Sequence, residues 1–373
     1  MTRIILLSLF LVVWLPDLLG QSGLSIDLKK PEKFENKKLG SEKTAEKKWT
    51  IPRRFVQNGV TKFNWHFNAR NKLQAVLERA KAQHRDDYSQ LLSFYNYTLE
   101  ATARDKNELD SVIYKANAGI LVHDLRNSWI DNLYMLMGQA YYFRNELDTA
   151  YLTFQYINYA FAPKEEDGYD IPIGSNAVEG GNAFTISTKE NNSLAHKVWT
   201  TPPSRNESFI WQIRTFLAKK EMAEAAGLIE TLKHDPQFPE RLHSDLHEVT
   251  ALYFYQLETY DSAAHYLEKA LDNAADREER ARWEYLIGQL YERSKQHDQA
   301  ETFFLRTVKH TLNPVLEVYA RLNAIRQHKG DDKVIDQNIA DLVKMARKDR
   351  YTNYRDIIYY MAAQMELERK NIA

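Results

Sequence analysis

Cysteine is absent from the whole chain. That single absence excludes disulfides, thiolate zinc sites, cysteine nucleophiles and lipid attachment through cysteine. Glycine and proline are scarce, at 13 and 10 in 373 residues. Neither sign of charge prevails, because 50 Lys and Arg face 51 Asp and Glu, and a nucleic-acid-binding domain would normally be basic. The apolar run at residues 4–15 falls short of the roughly 20 residues a membrane-spanning helix needs. What the chain does have is large side chains, with 22 Tyr, 16 Phe and 7 Trp. That mixture suits helices packed through bulky residues. The length exceeds what one ordinary core holds, unless the fold is a repeat array that never needs one.

Residues 1–20 read as an export signal. Arg3 gives a positive start, residues 4–15 the apolar run, and Pro16 breaks it before Leu18-Leu19-Gly20. An uncleaved anchor is the other reading of the same run. Residues 21–60 are polar and lysine-rich (Lys29, Lys30, Lys33, Lys37, Lys38, Lys43, Lys47, Lys48). Few apolar groups there can offset chain entropy, which predicts a disordered tether. A basic patch meeting an anionic surface is the second reading.

From residue 61 the apolar spacing turns helical. Phe63, Phe67, Leu73, Val76, Leu77 and Ala80 recur at threes and fours; Tyr88, Leu91, Leu92, Tyr95 and Leu99 then predict a second helix, and Leu109, Ile113, Ala116 and Ile120 a third. Residues 61–128 are thereby expected to form a divergent helical cap.

A small-and-aromatic code follows in residues 129–163, where Gly138, Tyr141, Ala150 and Phe154 stand at intervals of 3, 9 and 4. Gly288, Tyr291, Ala300 and Phe304 repeat those intervals within residues 281–314. This is the tetratricopeptide pattern, a helix–turn–helix unit in which a small residue on one helix receives a bulky one from its neighbour. Further units start at Asn206 and, in cleaner form, at Ser244, giving a period of 37 or 38, and residues 315–347 read as a degenerate helix pair. Residues 206–373 therefore read as further repeats. Taking Ala362 as a crossing residue puts the matching alanine beyond Ala373, so the last unit reads as incomplete. Between the two parts, residues 164–205 carry Gly168, Pro172, Gly174, Gly180, Gly181, Pro202 and Pro203 and predict a long insertion loop. Trp129, Trp211 and Trp283 fall on helix patterns as buried positions. The fold class is all-α, a tetratricopeptide-like solenoid.

Chemistry is sparsely signalled. His243 and His247 stand four apart, as metal ligands on one helical face can, but no glutamate base sits between them in the HExxH manner. Gly180-Gly181-Asn182 lacks the lysine and hydroxyl of a phosphate loop, and no GxSxG elbow exists. No enzyme, metal or cofactor is expected. The first helices of such repeats line the concave side, which places Asn132, Gln139, Arg214, Gln256, Arg282, Gln289 and Arg293 in a groove. Arg and Gln there can hold a peptide backbone or carboxylate. An ordinary solvated face is the plainer account of the same residues.

The segments FNWHFNARNKLQAVLERAKAQHRDDYSQLLSFY (63–95), MGQAYYFRNELDTAYLTFQYINYAF (137–161) and PPSRNESFIWQIRTFL (202–217) resemble the SprE/PorW type of tetratricopeptide protein. That family belongs to type IX secretion and gliding motility in Gram-negative bacteria. The resemblance implies an exported, periplasm-facing scaffold at the outer membrane whose partners are ring and motor subunits of the secretion machine. Gln21 stands where the family's lipid-bearing cysteine is expected, so membrane association would be indirect. A general peptide-binding periplasmic repeat protein is one alternative. A starch-utilisation-type nutrient-binding protein, which would need the lipid cysteine and exposed tryptophans, is the other.

Overall fold

A computed structural model describes residues 26, 28–162, 185–190, 201–327 and 332–368. Among these residues the regular structure is helical, with no strand. One long helix opens the fold: α1 (Ile51–Val60) runs through a π-helical turn, Thr61–His66, into α2 (Phe67–Gln83). Residues 84–98 are a non-helical stretch with turns and bends at 88–90 and 94–97, and α3 (Leu99–Ala103) and α4 (Lys106–Val122) complete this layer. Helix pairs follow: α5 and α6 (Ile130–Phe143, Leu147–Ala160), α7 and α8 (Ser204–Lys219, Met222–Lys233), α9 and α10 (His243–Gln256, Tyr260–Lys269), then α11 and α12 (Arg277–Arg293, His297–His310). The pair α13 and α14 (Pro314–Arg326, Asp332–Ala346) precedes α15 (Arg355–Glu368). Each helix packs mainly on its sequence neighbours, as in a solenoid.

The small-and-aromatic frame is the packing rule of the pairs. A Cβ on Gly288 would lie 2.7 Å from the Phe304 ring, and one on Gly138 would strike the Phe154 ring in the same way. Only glycine lets those aromatic knobs seat against the facing helix. The turn inside each unit repeats too. Asn145, Lys220, Glu258 and Lys295 adopt left-handed φ of 62°, 65°, 57° and 62°. The amide after each donates to the carbonyl of Tyr141, Phe216, Phe254 or Tyr291, at 2.9 to 3.0 Å. These acceptors are the aromatic positions of the repeat, so one motif both fills the crossing and closes the first helix in a Schellman-type end.

Three buried clusters form the core. One lies across α2, α4, α5 and α6, one across α7 to α13, and one between α13, α14 and α15. At α13 the start is set by Asn313, whose side chain accepts from the amides of Val315 and Leu316, with Pro314 in the first turn.

Two expectations are corrected. Residues 28–60 are not a disordered tether: they pack on the C-terminal end of α4. Asn117 Nδ2 donates to the Lys29 carbonyl at 2.6 Å, Ser41 Oγ to the Leu121 carbonyl at 2.9 Å, and the Leu125 amide to Thr44 Oγ1 at 3.0 Å. A side chain at Gly40 would collide with the Val122 carbonyl, so the low apolar content is offset by close backbone approach and hydrogen bonds. Residues 88–98 do not form a helix either. Asp87 accepts from the amide and hydroxyl of Ser89, an Asx-type turn that competes with helix formation. Leu92 and Phe94 on this stretch are instead buried as part of a non-helical strap.

Of the insertion expected at 164–205, residues 185–190 are described and pack on the array. Asp235 accepts from the amides of Ile186 and Ser187 at 2.8 Å each, and Arg241 pairs with Glu190 at 2.8 Å. Helix α7 begins at Ser204, slightly ahead of the expected restart at Asn206. The signal at 1–20, most of the insertion and residues 369–373 lie outside the described residues.

Candidate polypeptide-binding groove

The strap, residues 84–98, lies against α9, α11 and α13, and side chains of α9 and α11 hold it by its main chain. From α11, Tyr285 Oη donates to the Tyr88 carbonyl at 2.7 Å. Gln289 closes a two-point clamp: its Nε2 donates to the Gln90 carbonyl at 2.7 Å and its Oε1 accepts from the Leu92 amide at 3.0 Å. From α9, Tyr255 Oη donates to the Leu92 carbonyl at 2.8 Å. Arg282 spans the next two residues, donating to the carbonyls of Ser93 at 2.8 Å and Phe94 at 3.0 Å. Its other edge makes a two-bond ion pair with Asp86 at 2.7 and 2.8 Å. These side chains replace the ladder partners a non-helical backbone lacks outside a sheet. Leu92 and Phe94 are buried in the core of the array.

The electrostatics follow from burial. Arg282 and Asp86 are both nearly enclosed. Burial works against the Asp86 carboxylate, but hydrogen bonds and charge from Arg282, with His84, outweigh it and keep its pKa below the ordinary carboxylate value. Next along, Arg214 on α7 pairs with Glu248 on α9 at 2.7 Å and lies over the rings of Trp211 and Tyr95, at 5.0 and 5.5 Å. Tyr95 Oη donates to the same Glu248 at 2.9 Å. Burial pushes the Tyr95 hydroxyl well above its ordinary pKa, so it stays a neutral donor. Tyr95 stacks on Tyr97, which meets Phe143 of the first repeat at 5.9 Å.

The seven groove positions named from the sequence therefore separate. Arg282 and Gln289 do grip non-helical backbone, but it is the chain's own, and Arg214 is committed to Glu248. Gln256 on α9 has a buried Oε1 with no hydrogen-bond partner. The remaining three line two open clefts beyond the strap. Asn132 and Gln139 face one of about 450 Å³, with His66, Arg70, Glu207 and Trp211 on its other walls. Arg293 faces one of about 840 Å³, between the strap and α15, with Glu292, Tyr319 and Asp356. Burial raises the Glu207 carboxyl above its ordinary pKa and lowers the His66 imidazole to about 4, the latter helped by the charges of Arg70 and Lys62.

Three clamp residues, Tyr255, Tyr285 and Asp86, carry no signal in the sequence, because nothing in local spacing ties them to partners 163 to 197 positions away. The tryptophans also need correction. Trp283 is buried, whereas Trp129 and Trp211 are half-buried. Their faces are taken: His66 lies 4.8 Å from Trp129, and Phe154 stacks on Trp211 at 6.0 Å. His243 and His247 lie against Phe238 and Tyr266, and the described residues contain no group of three or more His, Asp or Glu placed to hold a metal. No protein-family model matches the chain, and a search of curated proteins gives no match.

Proposed function

We propose that this protein is an exported, non-enzymatic scaffold that binds segments of other proteins in the two clefts its strap leaves open. One observation carries the reading: side chains of α9 and α11 satisfy the main chain of a non-helical segment from Tyr88 to Phe94. A surface with that chemistry recognises polypeptide by its backbone, whatever the sequence. The strap fills the middle of the groove, so partners belong at Asn132 and Gln139 on one side and at Arg293 on the other.

The resemblance to SprE/PorW-type proteins supports a more specific setting. On that reading the partners are ring and motor subunits of type IX secretion, met in the periplasm. The test is crosslinking in cells with a photoreactive residue placed at Gln139 or Arg293, followed by identification of the adducts. Secretion-machine subunits crosslinked from either position support the scaffold reading. Adducts only with unrelated unfolded proteins would favour a general peptide binder, and sugar-transport proteins would favour the nutrient-binding alternative.

A further inference from the structure

The long first helix has an apolar face that no described residue covers. Ile51 is 85% exposed, Phe55 70%, Val56 60%, Phe63 63% and Phe67 53%. A soluble protein rarely leaves such a contiguous run of large side chains in water without use. The opposite face is fixed. Gln57 Oε1 accepts from the Asp124 amide at 3.0 Å, Asn58 bonds Ser128, and the buried Thr61 accepts from Asn127 Nδ2 at 2.6 Å. Arg53 pairs with Asp124 at 3.2 Å. The helix therefore cannot roll to hide its apolar side, and the exposure is built in.

Charge says what covers it. No acidic residue occurs from Lys47 to Leu77, while Lys47, Lys48, Arg53, Arg54, Lys62, Arg70 and Lys72 do. All of these except Arg53 and Lys72 are exposed along the helix and its approach. Arg126, laid over Trp49 at 5.3 Å at the same corner, is paired with Asp124 at 2.8 Å and adds no net charge. This local excess stands out in a chain whose formal net charge is −1. Exposed aromatics flanked by basic residues are the composition of a helix that lies in a bilayer interface, its rings among the acyl chains and its cations at anionic headgroups. No described helix is long and apolar enough to cross a membrane, so the contact is with the surface. We propose that α1 and the π-helical turn after it form a docking face for an anionic lipid bilayer. The proposal stands apart from the scaffold reading, since the exposed apolar side chains it rests on, from Ile51 to Phe67, line neither cleft, although His66 and Arg70 border the smaller one.

Because the chain has no native thiol, one introduced cysteine takes one label. Full-length Phe63→Cys carrying an environment-sensitive fluorophore is mixed with vesicles containing phosphatidylglycerol, or with phosphatidylcholine alone. Asp272→Cys, at a well-exposed position on the repeats, is the control. The expected result is a blue shift for the Phe63 label only, with binding roughly tenfold or more tighter on the anionic vesicles. In the unlabelled full chain, Phe55→Ser with Phe63→Ser should weaken binding on the order of a hundredfold, while circular dichroism stays that of the parent. Any binding through residues 4–15 would be common to parent and variant and would leave no such difference. Equal binding by parent and variant overturns the proposal, as does no blue shift at Phe63. A dimer in light scattering that the double variant dissolves would also overturn it, because a second copy would then be the cover.

Discussion

At the scale of single residues, the repeat frame makes two opposite demands on backbone and side chain. Gly288 must stay small, since its Cβ position is already held by Phe304. Gly288→Leu is expected to destabilise by about 1–3 kcal/mol through overpacking, seen as a lower urea midpoint at unchanged slope; a parent-like midpoint would remove Gly288 from the crossing. The turn positions ask for the reverse change. Lys220, Glu258 and Lys295 pay a left-handed penalty that glycine does not. Lys295→Gly should therefore stabilise by about 0.5–1 kcal/mol, even after glycine's larger unfolded-state entropy is counted. Asn145→Gly should gain less, because asparagine already tolerates this conformation. Equal gains at 145 and 295 would show that something other than φ governs the turn.

At the scale of elements, the long first helix changes pitch where it meets α4 and α5. Its π-helical turn presents Trp65 to Gly119, where an added Cβ would lie 3.1 Å from Trp65, and seats His66 on Trp129. Burial lowers the folded His66 pKa to about 4 from an ordinary 6.5. Between those values the unfolded chain binds a proton that the folded chain does not, so stability falls as pH drops from 6.5 to 4 and is level below. The full linkage would be about 3 kcal/mol, reduced because the ring is only partly enclosed. His66→Phe should flatten stability across this window while keeping the stack; an undiminished slope in His66→Phe would assign it elsewhere. How far these elements could be read in advance depended on range. Gly138, Gly288 and their knobs were legible because each meets a partner 16 residues on. The strap was not, because Tyr88, Leu91, Leu92 and Tyr95 fall at helix-like spacing by coincidence, their burial coming from distant helices on more than one side. For the same reason Arg282 and Gln289 could be placed in a groove, but not matched to Ser93 and Gln90.

At the scale of the whole molecule, the strap changes what kind of object the array is. A solenoid held only by neighbour contacts is free to unfold piecewise from either end. Here residues 84–98 leave the N-terminal layer and bond helices nearly 200 positions later. Tyr97 keeps the other end of the strap against Phe143 in the first repeat. The cluster around α2 to α6 and the one from α7 to α13 are thereby joined by a second route besides the α6–α7 contact. Closing so long a loop slows folding, and once closed it couples the two halves. Arg282 is the strongest single link, binding one carboxylate and two carbonyls of the strap. Arg282→Ala leaves Asp86 buried without its cation, a change worth roughly 3–5 kcal/mol. Hydrogen exchange at rising denaturant should show one shared opening for 109–122 and 283–291 in the parent. In Arg282→Ala the two peptides should open at separate denaturant concentrations, 283–291 first, because the core of that half is where Leu92 and Phe94 are seated. Separate openings already in the parent would mean the strap decorates the array without coupling it. A single shared opening in the variant, merely shifted, would place the coupling in α6–α7 packing.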